Sequence, residues 1–149
     1  MIAAGASAKV SASETCIQLL SHMSDRLKYL QPSMTSLLQS LCGIKSFEKL
    51  AFLQRCRGYM TQGMSFPESW HKAVLESREY IGVEEAEIVA GLCEVLGCTD
   101  LDSQLSGISY AKELLCTKLE EARERRDKYA KLYRSIGALA GIAVAIILI

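Results

Sequence analysis

Three observations predict an all-α fold: a helical bundle of about six helices whose long C-terminal helix runs into a membrane anchor. Apolar residues recur at three- and four-residue steps along most of the chain, and β-branched residues form no alternating runs. Only two prolines occur, Pro32 and Pro67, one interrupting a helical pattern and one in a first turn. The last fifteen residues, Ser135 to Ile149, carry no charge and directly follow a strongly charged stretch from Lys118 to Arg134.

The opening residues, Met1 to Ala8, are small and apolar, but as a helix they cover only about 12 Å, too little to cross a bilayer. They also lack the basic start and long apolar run of a signal peptide. The chain therefore divides into an apolar segment over 1–8, a helical bundle with a charged stalk over 9–131, and an anchor over 132–149.

From Ser13 to Leu30, residues Cys16, Leu20, Met23, Leu27 and Leu30 share one helix face until Pro32 interrupts the pattern. A shorter helix over Ser33 to Leu41 gathers Met34, Leu37, Leu38 and Leu41, and Gly43 is expected to close it in a left-handed conformation. The next helix runs from about Phe47 to Thr61 and stops before Gly63.

Ser65 and Glu68 form a capping box, in which the hydroxyl accepts from the Glu68 amide and the carboxylate accepts from the Ser65 amide. Pro67 sits in the first turn, where its missing N–H does no harm. Phe66, Trp70, Ala73 and Val74 then share a side, which makes Trp70 a core anchor. After Gly82, Glu84 and Glu85 complement a helix N-terminus, Val89, Leu92, Cys93 and Leu96 form a buried stripe, and Gly97 ends it. Either Thr99 or Asp100 caps the last helix, which turns Leu101, Leu105, Ile108, Leu115, Leu119 and Ala122 inward before leaving the bundle as a stalk.

Fifteen helical residues span roughly 22 Å, short of the roughly 30 Å hydrocarbon core. Counting from Leu132 extends the span to about 27 Å, with Lys131, Tyr133 and Arg134 at the membrane interface and the Arg134 guanidinium snorkelling to the headgroups. Between Lys118 and Arg134 there are seven basic and four acidic residues, an excess that places this flank in the cytoplasm. Glu121 with Arg125, Glu124 with Lys128 and Asp127 with Lys131 are spaced to pair along an exposed helix. Gly137, Gly141 and Ala145 put small residues at four-residue steps on one face of the anchor, where another helix can approach closely.

The 149 residues carry 17 basic and 17 acidic side chains, so no net field draws the chain to nucleic acid. Six cysteines occur without a Cys-x-x-Cys pair, and His22 and His71 are isolated, which predicts buried reduced thiols and no metal site. Phosphate-binding glycine loops, zinc-protease motifs and nucleophile–base pairs are absent from the sequence. The expectation is a protein without catalysis, cofactor or small-molecule substrate.

Three stretches, Gly63 to Trp70, Leu96 to Gln104, and Glu120 through Gly137 into the apolar tail, resemble the stage III sporulation protein AB family of endospore-forming bacteria. That family is similar to the cytoplasmic helical domains of type II secretion and type IV pilus inner-membrane platform proteins. The resemblance implies a non-catalytic platform or scaffold in a secretion-like complex connecting mother cell and forespore. Its implied partners are a cytoplasmic secretion-type ATPase and the other membrane subunits, and its implied place is the mother-cell membrane facing the forespore, with most of the chain in the cytoplasm. Family members usually begin with an apolar membrane segment, and this sequence departs from that pattern: only Met1 to Ala8 remains as a remnant of it. Asp100 and Gln104 are either a helix start or a partner contact. The alternative function is a tail-anchored adaptor or signalling module that binds a partner helix.

Overall fold

The computed structural model describes residues 2–97 and 100–148, excluding the side chains of 2–8 and of 126, 129, 130, 133, 138–140, 142–145 and 147–148. The described residues form seven α-helical segments and two 3-10 turns, with no strand among them.

Helix α1 spans Ile2–Leu30, so the helix expected from Ser13 begins eleven residues earlier and takes in residues 2–8 of the apolar segment. The Ala- and Ser-rich start carries no apolar periodicity to announce a helix, yet Val10 and Ala12 are already buried. Ala12, Cys16, Leu19, Leu20, Met23 and Leu27 line its inner face. Leu30 does not join them and is 68% exposed, because the helix ends there. Gln31 turns the chain at φ 45°, its N–H donating to the Arg26 carbonyl at 3.2 Å, and Pro32 prevents the helix from continuing.

Helix α2 (Met34–Cys42) is capped by Ser33, whose hydroxyl accepts from the Ser36 amide at 3.2 Å. Gly43 is right-handed at φ −81°, not left-handed as expected. The Ile44 amide bonds the Leu41 carbonyl at 3.2 Å, and Ile44 itself is extended at φ −88° and ψ 121° before a 3-10 turn over Lys45–Phe47. Helix α3 consequently starts at Ala51, not Phe47, and runs to Thr61. Phe47 is buried from the 3-10 turn and Leu50 from the non-helical residue just before α3.

Helix α4 (Phe66–Glu76) begins where the capping box places it, with the Ser65 hydroxyl accepting from the Glu68 amide at 3.4 Å, while the expected return bond from the Ser65 amide to the Glu68 carboxylate is not made among the described residues. Trp70, Ala73 and Val74 are wholly buried, and Phe66 stacks on the Trp70 ring at a centroid distance of 5.8 Å. A four-residue helix, α5 (Arg78–Ile81), leads to Gly82 at φ 105°, and α6 (Val83–Ala90) continues into a 3-10 turn over Gly91–Glu94. Helix α7 covers Leu101–Leu148, and its 48 residues make it roughly 72 Å long.

One core joins the elements. Helix α1 packs along α7, α3 packs on α4, and α6 bridges α4 to α7. The largest wholly buried side chains are Trp70, Phe52, Leu19, Leu20 and Met23, with Ile108 and Leu115 contributed by α7. Cys16 and Cys56 are buried free thiols, while Cys42 and Cys116 are half-buried. Burial, aided by the Glu85 charge, pushes the Cys16 thiol up to about 12, and burial with Cys42 alongside does the same for Cys56. These thiols behave as small hydrophobic groups at neutral pH.

Candidate interaction surfaces

The junction ahead of α7 brings together both residues singled out beyond the anchor. Asp100 accepts from the Ser103 hydroxyl at 2.6 Å and from the Ser103 amide at 3.3 Å, which is N-cap geometry. The Gln104 side-chain carbonyl reaches back one turn and accepts from the Gly97 amide at 3.2 Å. Gly97 is left-handed at φ 73°, and a side chain there would meet the Met34 Cγ at 2.7 Å. Asp100 thus caps α7 and Gln104 fastens its start to the preceding turn; Thr99, the other candidate cap, lies outside the described residues.

The bonds from Ser103, side chain first and backbone second, hold the Asp100 carboxyl below the usual carboxylate range. A carboxyl with a depressed folded pKa stabilises fully above its unfolded value and loses that contribution as pH falls through the folded one. Asp100→Ala should therefore melt earlier than the natural protein at neutral pH. In circular dichroism melts taken at successively lower pH the gap should close; a constant gap would show that the cap bonds do not involve the ionised carboxylate.

Where α7 leaves the bundle, ion pairs hold it on two sides. Arg123 pairs with Glu14 of α1 at 2.5 Å, and Lys118 pairs with Glu84 of α6 and, at 3.8 Å, with Glu121 on its own helix. The Lys118 bond keeps the Glu84 carboxyl below its ordinary range. Glu121 was expected to pair with Arg125, but its carboxylate turns to Lys118, and Arg125 donates instead to the Glu121 carbonyl at 3.4 Å. The lysine lies one turn back, where it can serve both Glu84 and Glu121.

Beyond Arg123 every described side chain of α7 is exposed, so the helix projects about 38 Å past the Glu14 contact. Lys131 and Arg134 are exposed on this stalk, as are Leu132, Ile136 and Ile146, each more than half exposed. Among the described residues, no atom outside the adjoining helix backbone lies within 4 Å of a side chain built at Gly137 or Gly141. The side chains of Tyr133 and Ala145 lie outside the described residues. Among the described residues no helix is long and apolar enough to cross a membrane. The anchor expected over 132–149 is thus a helical backbone through Leu148, with most of its apolar side chains outside the described ones.

A broad cleft of about 760 Å³ opens between α3 and α4, with α5 at one end. Arg55 and Tyr59 come from α3, His71, Lys72, Leu75 and Glu76 from α4, and Arg78 and Glu79 from α5. Tyr59 organises it. Its hydroxyl donates to Glu76, which raises the phenol pKa, and the Lys72 ammonium lies 4.6 Å from its ring centroid. Arg55 approaches the same Glu76 carboxylate at 3.9 Å. No group of three His, Cys, Asp or Glu placed to hold a metal occurs among the described residues.

Family comparison covers the chain from end to end: residues 1–149 match stage III sporulation protein AB. The chain belongs to the stage III sporulation protein AB family. Membership in this AB family gives the protein a sporulation-related role, and the match includes the Ile2–Leu30 helix as well as the motifs from Gly63 onward. No curated protein and no solved structure matches the chain. The α3–α4 cleft is a surface that no motif in the sequence announces.

Proposed function

We propose that this AB-family protein is a non-catalytic, membrane-anchored platform subunit of a secretion-like complex linking mother cell and forespore. The bundle docks a cytoplasmic secretion-type ATPase, and other membrane subunits of the complex assemble around the anchor. The observation that carries this reading is α7, one continuous helix that begins in the core, is fastened by Glu14 and Glu84, and then projects away from the bundle. A docking subunit needs a fixed spacing between membrane and partner, and a single helix supplies it at 1.5 Å per residue. The uncharged residues from Ser135 to Ile149 then enter the bilayer, and the basic excess before them keeps the bundle in the cytoplasm.

The test is capture of the cognate ATPase by the full chain in detergent, with ATP, with ADP and without nucleotide. Retention in at least one state is expected. Absence of retention in all three contradicts the platform.

A further inference from the structure

We propose that the α3–α4 cleft is the docking surface and that its occupant is an acidic segment of the protein partner, an inference that rests on the platform reading. Charge carries the argument. Arg55, Lys72 and Arg78 face Glu76 and Glu79, a formal excess of one positive charge in a chain whose net charge is zero. Glu76 is already engaged, accepting from the Tyr59 hydroxyl and pairing with Arg55. Lys72 rests on the Tyr59 ring, and neither Lys72 nor Arg78 forms an ion pair among the described residues. The cleft thus holds two cations, Lys72 and Arg78, against one carboxylate outside an ion pair, Glu79, beside the imidazole of His71.

Shape narrows the occupant. The cleft is wide and open to solvent, unlike the enclosed, largely apolar pockets that bury small molecules, and it accommodates a run of side chains from a polypeptide. Its position also fits. Helices α3, α4 and α5 wall it, whereas α7 packs on α1, α6 and the Gly91–Glu94 turn, so a partner can reach the cleft while α7 holds the bundle at a membrane. Opposed charges across such a contact speed encounter and select against basic partners.

Fluorescence anisotropy of labelled oligo-glutamate and oligo-lysine peptides, titrated with the full chain in detergent, tests the inference. Oligo-glutamate should bind and weaken as salt rises, while oligo-lysine should not bind. In the double variant Lys72→Glu, Arg78→Glu, oligo-glutamate affinity should fall about tenfold or more and oligo-lysine should now bind, a gain that misfolding cannot imitate. Lys72→Ala, Arg78→Ala provides a milder loss with the same expected direction. Equal oligo-glutamate affinity in all three proteins overturns the proposal, as does displacement of the peptide by inorganic phosphate, which would mark a small-anion site. Capture of the ATPase separates the two levels. Undiminished capture by the charge-reversed variant overturns the cleft as the dock while the platform stands. If the natural protein captures no ATPase yet binds oligo-glutamate through Lys72 and Arg78, the platform reading fails and the cleft's preference for acidic segments stands.

Discussion

Trp70→Ala should lower the stability of the bundle by about 3–5 kcal/mol, the range for truncating a fully packed large aromatic side chain, and the thermal midpoint by on the order of 10 °C. The indole is wholly buried, meets Phe52 edge-on at 5.5 Å and stacks on Phe66 at 5.8 Å. Its N–H donates to the Val89 carbonyl at 2.8 Å. One side chain on α4 thereby fastens α3 on one side and α6 on the other, so its loss opens a cavity at the junction of three helices. Chemical unfolding followed by circular dichroism measures the effect. Ser69→Ala, one residue earlier on the same helix, is the contrast: its hydroxyl is buried and has no hydrogen-bond partner among the described residues, so removing it should leave stability unchanged or slightly higher. Equal losses from the two substitutions would mean that packing around Trp70 is not what holds α4.

Gly82→Ala should cost about 2–3 kcal/mol, because the residue sits at φ 105° and ψ 148°, a region that L residues avoid. Space is the lesser obstacle. A side chain there would meet the Glu85 carboxylate at 2.0 Å, but that carboxylate is the flexible end of a side chain and can swing away. The backbone cannot relax so easily, since the Gly82 N–H donates to the Arg78 carbonyl and the Gly82 carbonyl accepts from Ala86, both at 2.9 Å. Relaxation would therefore disturb the end of α5 and the start of α6 together. Gly58→Ala is the matched control: Gly58 lies inside α3 with nothing within 4 Å of an added side chain, and the change should stabilise by about 0.5–1 kcal/mol. Urea unfolding of the two variants should give opposite signs.

Sequence reading succeeded where a single local signal had one structural solution. Ser65 and Glu68 bracket a helix start in any context, and Trp70 five residues after Ser65 had to face the core once that start was set. It failed where one pattern has two solutions. Phe47, Leu50 and Leu53 are spaced for a helix face, but the three-residue step also fits a 3-10 turn, and the chain buries Phe47 from such a turn and Leu50 from the non-helical residue just before α3. Residues 2–12 of α1 carry little apolar contrast, so no readable pattern announces their helix, and among the described side chains Val10 and Ala12 are the ones it buries.

The cleft was illegible for a different reason. Arg55 and Tyr59, like Lys72 and Glu76, are one-turn neighbours on polar helix faces, and each pair read alone is ordinary solvated surface. Only the packing of α3 on α4 places the Tyr59 ring under Lys72 and the Tyr59 hydroxyl on Glu76, across a separation of thirteen and seventeen residues respectively. Asp100 and Gln104 show the intermediate case. The cap at Asp100 was readable, whereas the bond from the Gly97 amide to Gln104 needed the turn between them.

Vesicle flotation tests the platform most directly, because it asks in one measurement whether the bundle and the anchor work together. The full chain is reconstituted into lipid vesicles, purified cognate ATPase is added, and the vesicles are floated through a density gradient. The account predicts that the ATPase rises with vesicles carrying the full chain and stays at the bottom with bare vesicles or when residues 132–149 have been removed. If the ATPase stays at the bottom although the full chain floats, the docking role is wrong; if the full chain itself does not float, the anchor is.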